Sequence, residues 1–129
     1  MKNAIKVACA IIVIDHKFLV VQRNENMNLP LKWEFPGGKI EQNETDEQCV
    51  LREIEEELNI EVTLVKRLTS SFFEYPNIAI ELIPFLANYE KGEIKLKEHK
   101  QYILLNKKEL IRLDWADADL PIVKELQEL

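Results

Sequence analysis

Apolar residues occur along this chain in two patterns: short apolar runs, which predict strands, and a helical spacing, which predicts a helix. Residues 7–15 are largely β-branched and apolar, which is typical of a buried strand. Further short apolar runs are bounded by turn residues such as Asp15-His16-Lys17 and Tyr75-Pro76-Asn77. We predict strands at residues 7–15, 18–23, 33–35, 62–75, 78–89 and 101–105.

One segment follows the helical period instead. Thr45 and Gln48 match a capping box at a helix N-terminus. Asn59 tolerates the left-handed conformation that commonly ends a helix. The apolar positions between them recur at helical spacing: Val50, Leu51, Ile54 and Leu58. A helix is therefore predicted from residue 46 to the neighbourhood of Asn59.

Two further helices are predicted near the C-terminus. Residues 107–113 suit a short helix, and residues 120–129 suit an amphipathic helix with Pro121 in its first turn, where proline is tolerated. Strands are thus followed by a helix, by more strands and by a final helix. This order indicates an α/β class, with a mixed sheet and helices packed on it, in a single domain spanning residues 1–129.

Composition narrows the classes of partner. The net charge is −6, which argues against a broad basic surface for a nucleic acid polymer. The longest apolar stretch, residues 7–14, has eight residues and is too short to span a membrane. Cys9 and Cys49 form no CxxC pair, so we expect neither a zinc site nor a disulfide framework, and a reducing cytoplasmic location.

The negative charge is concentrated in one segment. Residues 41–61 contain nine acids against a single base, Arg52. Glu53, Glu56 and Glu57 are spaced i, i+3 and i+4, so they share one helix face, beside the apolar stripe. Carboxylates at this spacing repel one another, and a hard divalent cation such as Mg²⁺ would convert that repulsion into binding.

A solvated polar face is the alternative interpretation of these glutamates. Two features favour a site. The acids border the apolar stripe instead of lying opposite it, and the helix is preceded by Pro36-Gly37-Gly38. We predict that this tripeptide forms a loop whose backbone can come close to a ligand or metal.

These residues resemble the Nudix box, whose pattern is G-x5-E-x7-R-E-U-x-E-E-x-G-U, with U a bulky aliphatic residue. Gly38, Glu44 and the run from Arg52 to Ile60 match every fixed position except one, where Asn59 replaces glycine. Residues 33–41 are similar to the segment that precedes the box in MutT-type nucleoside triphosphate pyrophosphohydrolases. The likeness covers essentially the whole chain and implies the Nudix fold, an α/β fold in which a mixed β-sheet is sandwiched between α-helices.

The resemblance also implies a Mg²⁺ site on the box helix, with Mn²⁺ as an alternative ion. The implied ligands are the carbonyl of Gly37 and the carboxylates of Glu53, Glu56, Glu57 and Glu98. His99 is expected to be a structural or rim residue, because carboxylates already supply hard oxygen donors.

A catalytic assignment follows from the same resemblance. Glu53 is favoured as the general base, with Glu44 as a weaker candidate. Arg52 is expected to orient Glu56 or a neighbouring loop. Attack of water on the β-phosphorus of a nucleoside triphosphate would release a nucleoside monophosphate and pyrophosphate.

Substrate contacts are implied around one cleft. The matching position of Arg23 lies near the phosphates in the family, although a solvated cation at a strand end is the alternative. Ile80 and Leu82 suit either an apolar wall of the cleft or the core. The implied substrate-binding residues are Arg23, Asn28, Glu34, Phe35, Pro36, Gly37 and Asp119.

Asp119 bears on the identity of the base. MutT has an asparagine at the matching place, where an amide can both donate to and accept from an oxidised guanine. An ionised carboxylate only accepts, whereas a protonated one resembles the amide. Asp119 also suits the N-cap of the last helix.

We therefore expect hydrolysis of 8-oxo-dGTP by a monomer, with (d)CTP or 5-methyl-dCTP as the alternative substrate. A Nudix domain that binds nucleotides without cleaving them is a further alternative, disfavoured by the intact box glutamates. An acidic helical module that binds a basic partner is a more remote one.

Overall fold

The computed structural model describes residues 4–129 of the chain. Two α-helices and two short 3₁₀ turns accompany eight strands. The strands are β1 (Ala4–Ile14), β2 (Lys17–Gln22), β3 (Trp33–Glu34), β4 (Gly37–Lys39), β5 (Glu61–Arg67), β6 (Ser71–Tyr75), β7 (Ile78–Lys91) and β8 (Gln101–Leu105). The helices are α1 (Asp46–Leu58) and α2 (Leu120–Glu128), and the 3₁₀ turns cover Lys107–Arg112 and Asp117–Asp119.

A mixed sheet is built around the parallel pair of β1 and β7. The main strand order is β3-β2-β1-β7-β5, while β4 pairs with β1, β6 with β7 and β8 with β2. The β1–β7 pairing is parallel and the other pairings are antiparallel. Both faces of β1 are covered, which explains why its sequence is a continuous apolar run and not an alternating one.

Successive residues of β1 point into two different core layers. Ala8, Ala10 and Ile12 pack on one face with the buried side of α1. Cys9 and Ile11 pack on the other face with Ile122, Val123 and Leu126 of α2. The predicted sandwich of a mixed sheet between helices is therefore confirmed.

Helix α1 has the ends that its sequence predicts. The Thr45 hydroxyl accepts from the Gln48 backbone N–H at 3.0 Å, and the Gln48 side chain accepts from the Thr45 N–H at 2.9 Å. Asn59 adopts φ 62° at the C-terminus, where its N–H donates to the Glu55 carbonyl at 3.0 Å. Asparagine thus performs the conformational role of the glycine in the box pattern.

Residues on the wheel of α1 are buried differently from the prediction. Leu51 is 41% exposed, whereas Cys49 is buried with Val50, Ile54 and Leu58. On the helical wheel, the buried stripe is therefore centred near Val50, and it extends past Glu53 to Cys49. Glu53 and Glu57 consequently lie within this buried side and not merely beside it.

Two predicted boundaries were wrong. Gly37 and Gly38, expected to lie in a loop with Pro36, form strand β4 with Lys39 against β1. Gly37 allows this pairing because it has no side chain: a Cβ there would lie 2.0 Å from the Ala8 carbonyl oxygen. The predicted strand 62–75 is divided into β5 and β6. The division lies opposite Pro84, whose carbonyl accepts from Leu68 at 2.9 Å but which has no N–H to return.

The remaining predicted elements are present with ends that differ by up to three residues, and residues 107–112 form a 3₁₀ turn in place of a short helix. The 3₁₀ turn Asp117–Asp119 was not predicted. No helix within residues 4–129 is long and apolar enough to cross a membrane.

Replacing Asn59 tests the C-terminal cap of α1. Asn59→Ala should lower the free energy of unfolding by about 1 kcal/mol, because a Cβ without a polar side chain is disfavoured at positive φ. Asn59→Gly should stay closer to the parent, since it loses only the side-chain bond to the Glu93 carbonyl at 3.0 Å. Urea denaturation measures both changes, and equal stability of the two variants would contradict the assigned cap.

Candidate active site

A cavity of about 620 Å³ opens between β4, the last turn of α1, the β6–β7 turn and the segment that precedes α2. Its size is that of a typical small-molecule site. Most of the predicted substrate-binding residues line it: Arg23, Asn28, Glu34, Phe35, Gly37 and Asp119. Ile80 and Leu82 also line it, so they form an apolar wall, and Leu82 belongs to the core as well.

Glu57 of α1 lines one end of this cavity, and Glu53, one helical turn away, lies against Gly38, which also lines it. The side chains of Glu53 and Glu57 are only 15% and 18% exposed. Burial, together with the charges of the nearby Glu53 and Glu34 carboxylates, raises the pKa of Glu57 to about 9. Glu57 Oε2 is buried without a hydrogen-bond partner in the part of the chain that the structure describes.

The backbone of β4 passes directly over Glu53. A Cβ on Gly38 would lie 2.3 Å from the Glu53 carboxyl carbon, closer than two such groups can approach. A side chain at this position would have to push the Glu53 carboxylate aside, so the glycine of the box pattern has a steric reason here. The half-buried carboxylates and the main chain of β4 are thereby brought to one place.

Arg52 binds several of the acids around α1. Its Nε and Nη2 donate to the two oxygens of Glu44 at 3.0 and 2.7 Å. Its Nη1 donates to Glu53 Oε1 at 2.8 Å and to Glu56 Oε2 at 3.3 Å. The hydrogen bonds from Arg52 hold the pKa of Glu44 at about 2. These contacts suit the predicted role of Arg52 as a group that orients its neighbours.

A second chain of polar contacts crosses the cavity wall. Arg23 Nη1 donates to Glu34 Oε1 at 2.9 Å, and Arg23 Nε donates to the Asn28 carbonyl at 2.5 Å. The other oxygen of Glu34 lies 2.9 Å from His99 Nε2. Arg23 is thus an ion-pair partner in the cleft and not a solvated cation at a strand end. His99 is buried in the wall and does not lie at the rim.

Asp119 lies at the apolar end of the cavity. It is 5% exposed, and its Oδ2 accepts from the Phe35 backbone N–H at 3.0 Å. Its side chain makes no capping bond to α2, so the interpretation of Asp119 as a helix cap was wrong. Desolvation by burial, with the charge of Glu34, raises the pKa of Asp119 well above its usual range.

The residues around Asp119 include some that the sequence did not identify. Trp115 packs on Phe35 with ring centroids 4.9 Å apart, and the Ala118 N–H donates to the Tyr75 hydroxyl at 3.3 Å. Ala116 and Tyr75 line the cavity. Only the turn at Tyr75-Pro76-Asn77 was visible as a signal, and a turn does not show which distant segment it faces.

The implied metal ligands are only partly gathered. Glu56 is half exposed on its ion pair with Arg52, and Glu98 is exposed at the surface. Within residues 4–129, no set of three or more His, Cys, Asp or Glu side chains is already arranged as a metal site. These glutamates nevertheless suit a hard cation, because they offer carboxylate oxygens, of which Glu57 Oε2 is buried and unpaired within residues 4–129. The adjacent Gly37 and Gly38 leave the main chain of β4 open to a ligand.

Comparison with known proteins identifies the family of this chain. A family model described as NUDIX domain matches residues 3–126. A CTP pyrophosphohydrolase of Escherichia coli (strain K12) is 32% identical over 125 residues, covering 97% of this chain and 93% of that protein. An 8-oxo-dGTP diphosphatase of Proteus vulgaris is 37% identical over 98 residues, covering 75% of this chain and 88% of that protein.

A solved structure agrees with these sequences. The solution NMR structure titled DNA mismatch repair protein MutT (family Nudix hydrolase), from methicillin resistant Staphylococcus aureus 252, is 40% identical to this chain with a TM-score of 0.80. The match covers 99% of this chain and 98% of that one. The chain therefore belongs to the Nudix family and is a MutT-like Nudix hydrolase, an enzyme that cleaves pyrophosphate bonds.

Proposed function

We propose that this enzyme hydrolyses a nucleoside triphosphate to a nucleoside monophosphate and pyrophosphate, with Mg²⁺ as its metal ion, and that 8-oxo-dGTP is the preferred substrate. Cleaning of the nucleotide pool would be its role. One observation carries the proposal: a single cavity has half-buried Glu57 at one end, with half-buried Glu53 beside the Gly38 backbone there, and buried Asp119 at the other. The glutamates suit a metal-bound polyphosphate, and the buried carboxyl group of Asp119 suits the hydrogen-bonding groups of a base.

The metal ion would be held by Glu53, Glu56 and Glu57, by the Gly37 carbonyl and by Glu98, with Mn²⁺ as a substitute. When bound, such an ion neutralises polyphosphate charge and supplies a water of lowered pKa. The exposed positions of Glu56 and Glu98 require both side chains to turn toward the half-buried pair.

Glu53 is the favoured general base among the carboxylates at this end. Arg52 holds its Oε1, which leaves Oε2 to accept a proton from water. The water oxygen then bonds to the β-phosphorus, and the bridging oxygen leaves with the α-phosphate as the nucleoside monophosphate. Glu44 is less suitable, because both of its oxygens are bound by Arg52 and its pKa is held at about 2.

Asp119 carries the choice of base. Its raised pKa favours the neutral acid, which offers a donor and an acceptor as an amide does. Those groups would pair with O6 and N7–H of 8-oxoguanine, while the Phe35 N–H fixes the carboxyl plane.

A pyrimidine triphosphate is the second candidate. An ionised Asp119 accepts hydrogen bonds only, and it would suit the N4–H₂ group of cytosine. The relative named CTP pyrophosphohydrolase, which aligns over nearly the whole chain, supports this candidate.

Removing the proposed base tests the chemistry. Glu53→Gln should fold normally and lose about 10²–10⁴ in kcat, the usual contribution of a general base. Glu55→Gln, two residues along on the exposed side of α1, is the matched control and should retain activity. Pyrophosphate release with Mg²⁺, and its absence with EDTA, is the measurement. Near-normal turnover of the Glu53 variant would remove this residue from the role.

The base preference is tested by a substrate panel on the parent and on Asp119→Asn. The parent should show a higher kcat/KM for 8-oxo-dGTP than for dGTP, dCTP or 5-methyl-dCTP. Because an amide replaces the neutral acid, Asp119→Asn should keep 8-oxo-dGTP hydrolysis within about threefold, whereas Asp119→Ala should lose about 10–10³.

Asp117→Asn, at an exposed position, is the matched control for that panel. A parent that prefers dCTP, with activity abolished in Asp119→Asn, would overturn the choice of 8-oxo-dGTP and establish the pyrimidine candidate.

The pKa of Glu57 predicts how stability depends on pH in metal-free protein. A glutamate with a folded pKa of about 9 stays protonated in the folded state, while the unfolded chain loses that proton near 4.5. The folded state then binds more protons, so the free energy of unfolding should fall from about pH 5 to about pH 9. Glu57→Gln should flatten this fall and Glu55→Gln should not. Urea denaturation in EDTA measures both, and identical slopes would contradict the assignment.

A further inference from the structure

His99 is a buried polar residue that the proposed reaction does not use. Its side chain is 3% exposed, and it follows exposed Glu98 in the segment before β8. A histidine so deeply buried normally has both ring nitrogens engaged, because an unpaired buried polar atom costs free energy. Here Nδ1 has no hydrogen-bond partner among residues 4–129.

The ring lies between the two functional ends of the cavity. Nε2 is 2.9 Å from Glu34 Oε2, on the wall that carries Arg23. Nδ1 is 3.9 Å from Glu57 Oε2, on the helix that carries the proposed metal ligands. That oxygen of Glu57 is itself buried and unpaired. The two unpaired atoms therefore face each other across a gap slightly longer than a hydrogen bond.

We propose that His99 is a positioning residue that fixes the carboxylates of Glu34 and Glu57 relative to each other, and so links the base-binding wall to the metal-binding helix. Nε2 orients Glu34, and the edge of the ring that carries Nδ1 limits how far the Glu57 carboxylate can turn toward that wall. This inference rests on the proposed function, because it assumes that nucleotide and metal occupy these two ends.

The position of the ring supports a role beyond filling the core. An apolar side chain would fill the same space, but it would leave Glu34 Oε2 without the contact that Nε2 makes at 2.9 Å. The pair Glu34 and Glu57 also carries like charge when ionised, and the ring lies between them as a polar spacer. Partners of this kind behind metal ligands typically affect metal affinity by about 10–100-fold.

Two substitutions separate the two sides of the ring. In His99→Gln the side-chain amide nitrogen can take the place of Nε2, so the bond to Glu34 is kept and the edge facing Glu57 is lost. In His99→Asn a polar atom can take the place of Nδ1, so the reverse holds. His99→Ala removes both.

The readouts are chosen to follow each side. Binding of Mn²⁺ without nucleotide, measured by electron paramagnetic resonance, reports on Glu57, and KM for 8-oxo-dGTP reports on Glu34. We expect His99→Gln to weaken Mn²⁺ binding by about 10-fold with KM within about twofold. His99→Asn should raise KM by about 10-fold with Mn²⁺ binding within about twofold. His99→Ala should show both losses.

Val62→Ala, a core substitution on β5, controls for loss of stability and should change neither readout. If the His99 variants lose only stability, as this control does, or if Gln and Asn act identically, the positioning role is overturned. A parent protein that releases no pyrophosphate with Mg²⁺ would instead overturn the proposed function, so the two failures are distinguishable.

Discussion

The close approach of the β4 main chain to its neighbours is the constraint on which the site depends. Gly37 lies against the backbone of β1, and Gly38 lies against the Glu53 carboxylate, at separations that leave no space for a Cβ. These two contacts bring the central strand, β4 and α1 to one point. A side chain at Gly37 would force β4 away from β1, and a side chain at Gly38 would displace the Glu53 carboxylate.

Two arginines then balance the acidic groups gathered by that approach. Arg52 binds Glu44, Glu53 and Glu56 around α1, and Arg23 binds Glu34 in the cavity wall. Each is half-buried, so its ion pairs are less screened than pairs at the surface. Glu57 and Asp119 have no arginine partner and are desolvated, which is why the pKa of each is raised. One site therefore holds carboxyl groups that are paired with arginine beside others whose pKa burial raises.

This division suits the chemistry of a polyphosphate substrate. Half-buried carboxylates that lie close together favour a divalent cation, because its arrival offsets both their repulsion and their desolvation. A carboxyl group held neutral at the opposite end, as we propose for Asp119, would offer a donor and an acceptor to a base. The cavity and its raised carboxyl pKa values therefore suit the pyrophosphate hydrolysis expected of a Nudix enzyme.

Local patterns in the sequence were sufficient for most of the framework. The capping box at Thr45, the left-handed Asn59 and the buried strand β1 are near-neighbour effects, and the fixed spacing of the box residues identified the family. The split between β5 and β6, the exposure of Leu51 and the bond from Phe35 to Asp119 were decided only by tertiary structure. Each depends on a partner distant in sequence, such as Pro84 on β7, and so does the alignment of His99 between Glu34 and Glu57. Spacing along one chain determines which residues share a face, but only packing determines which faces meet and which charges lose their water.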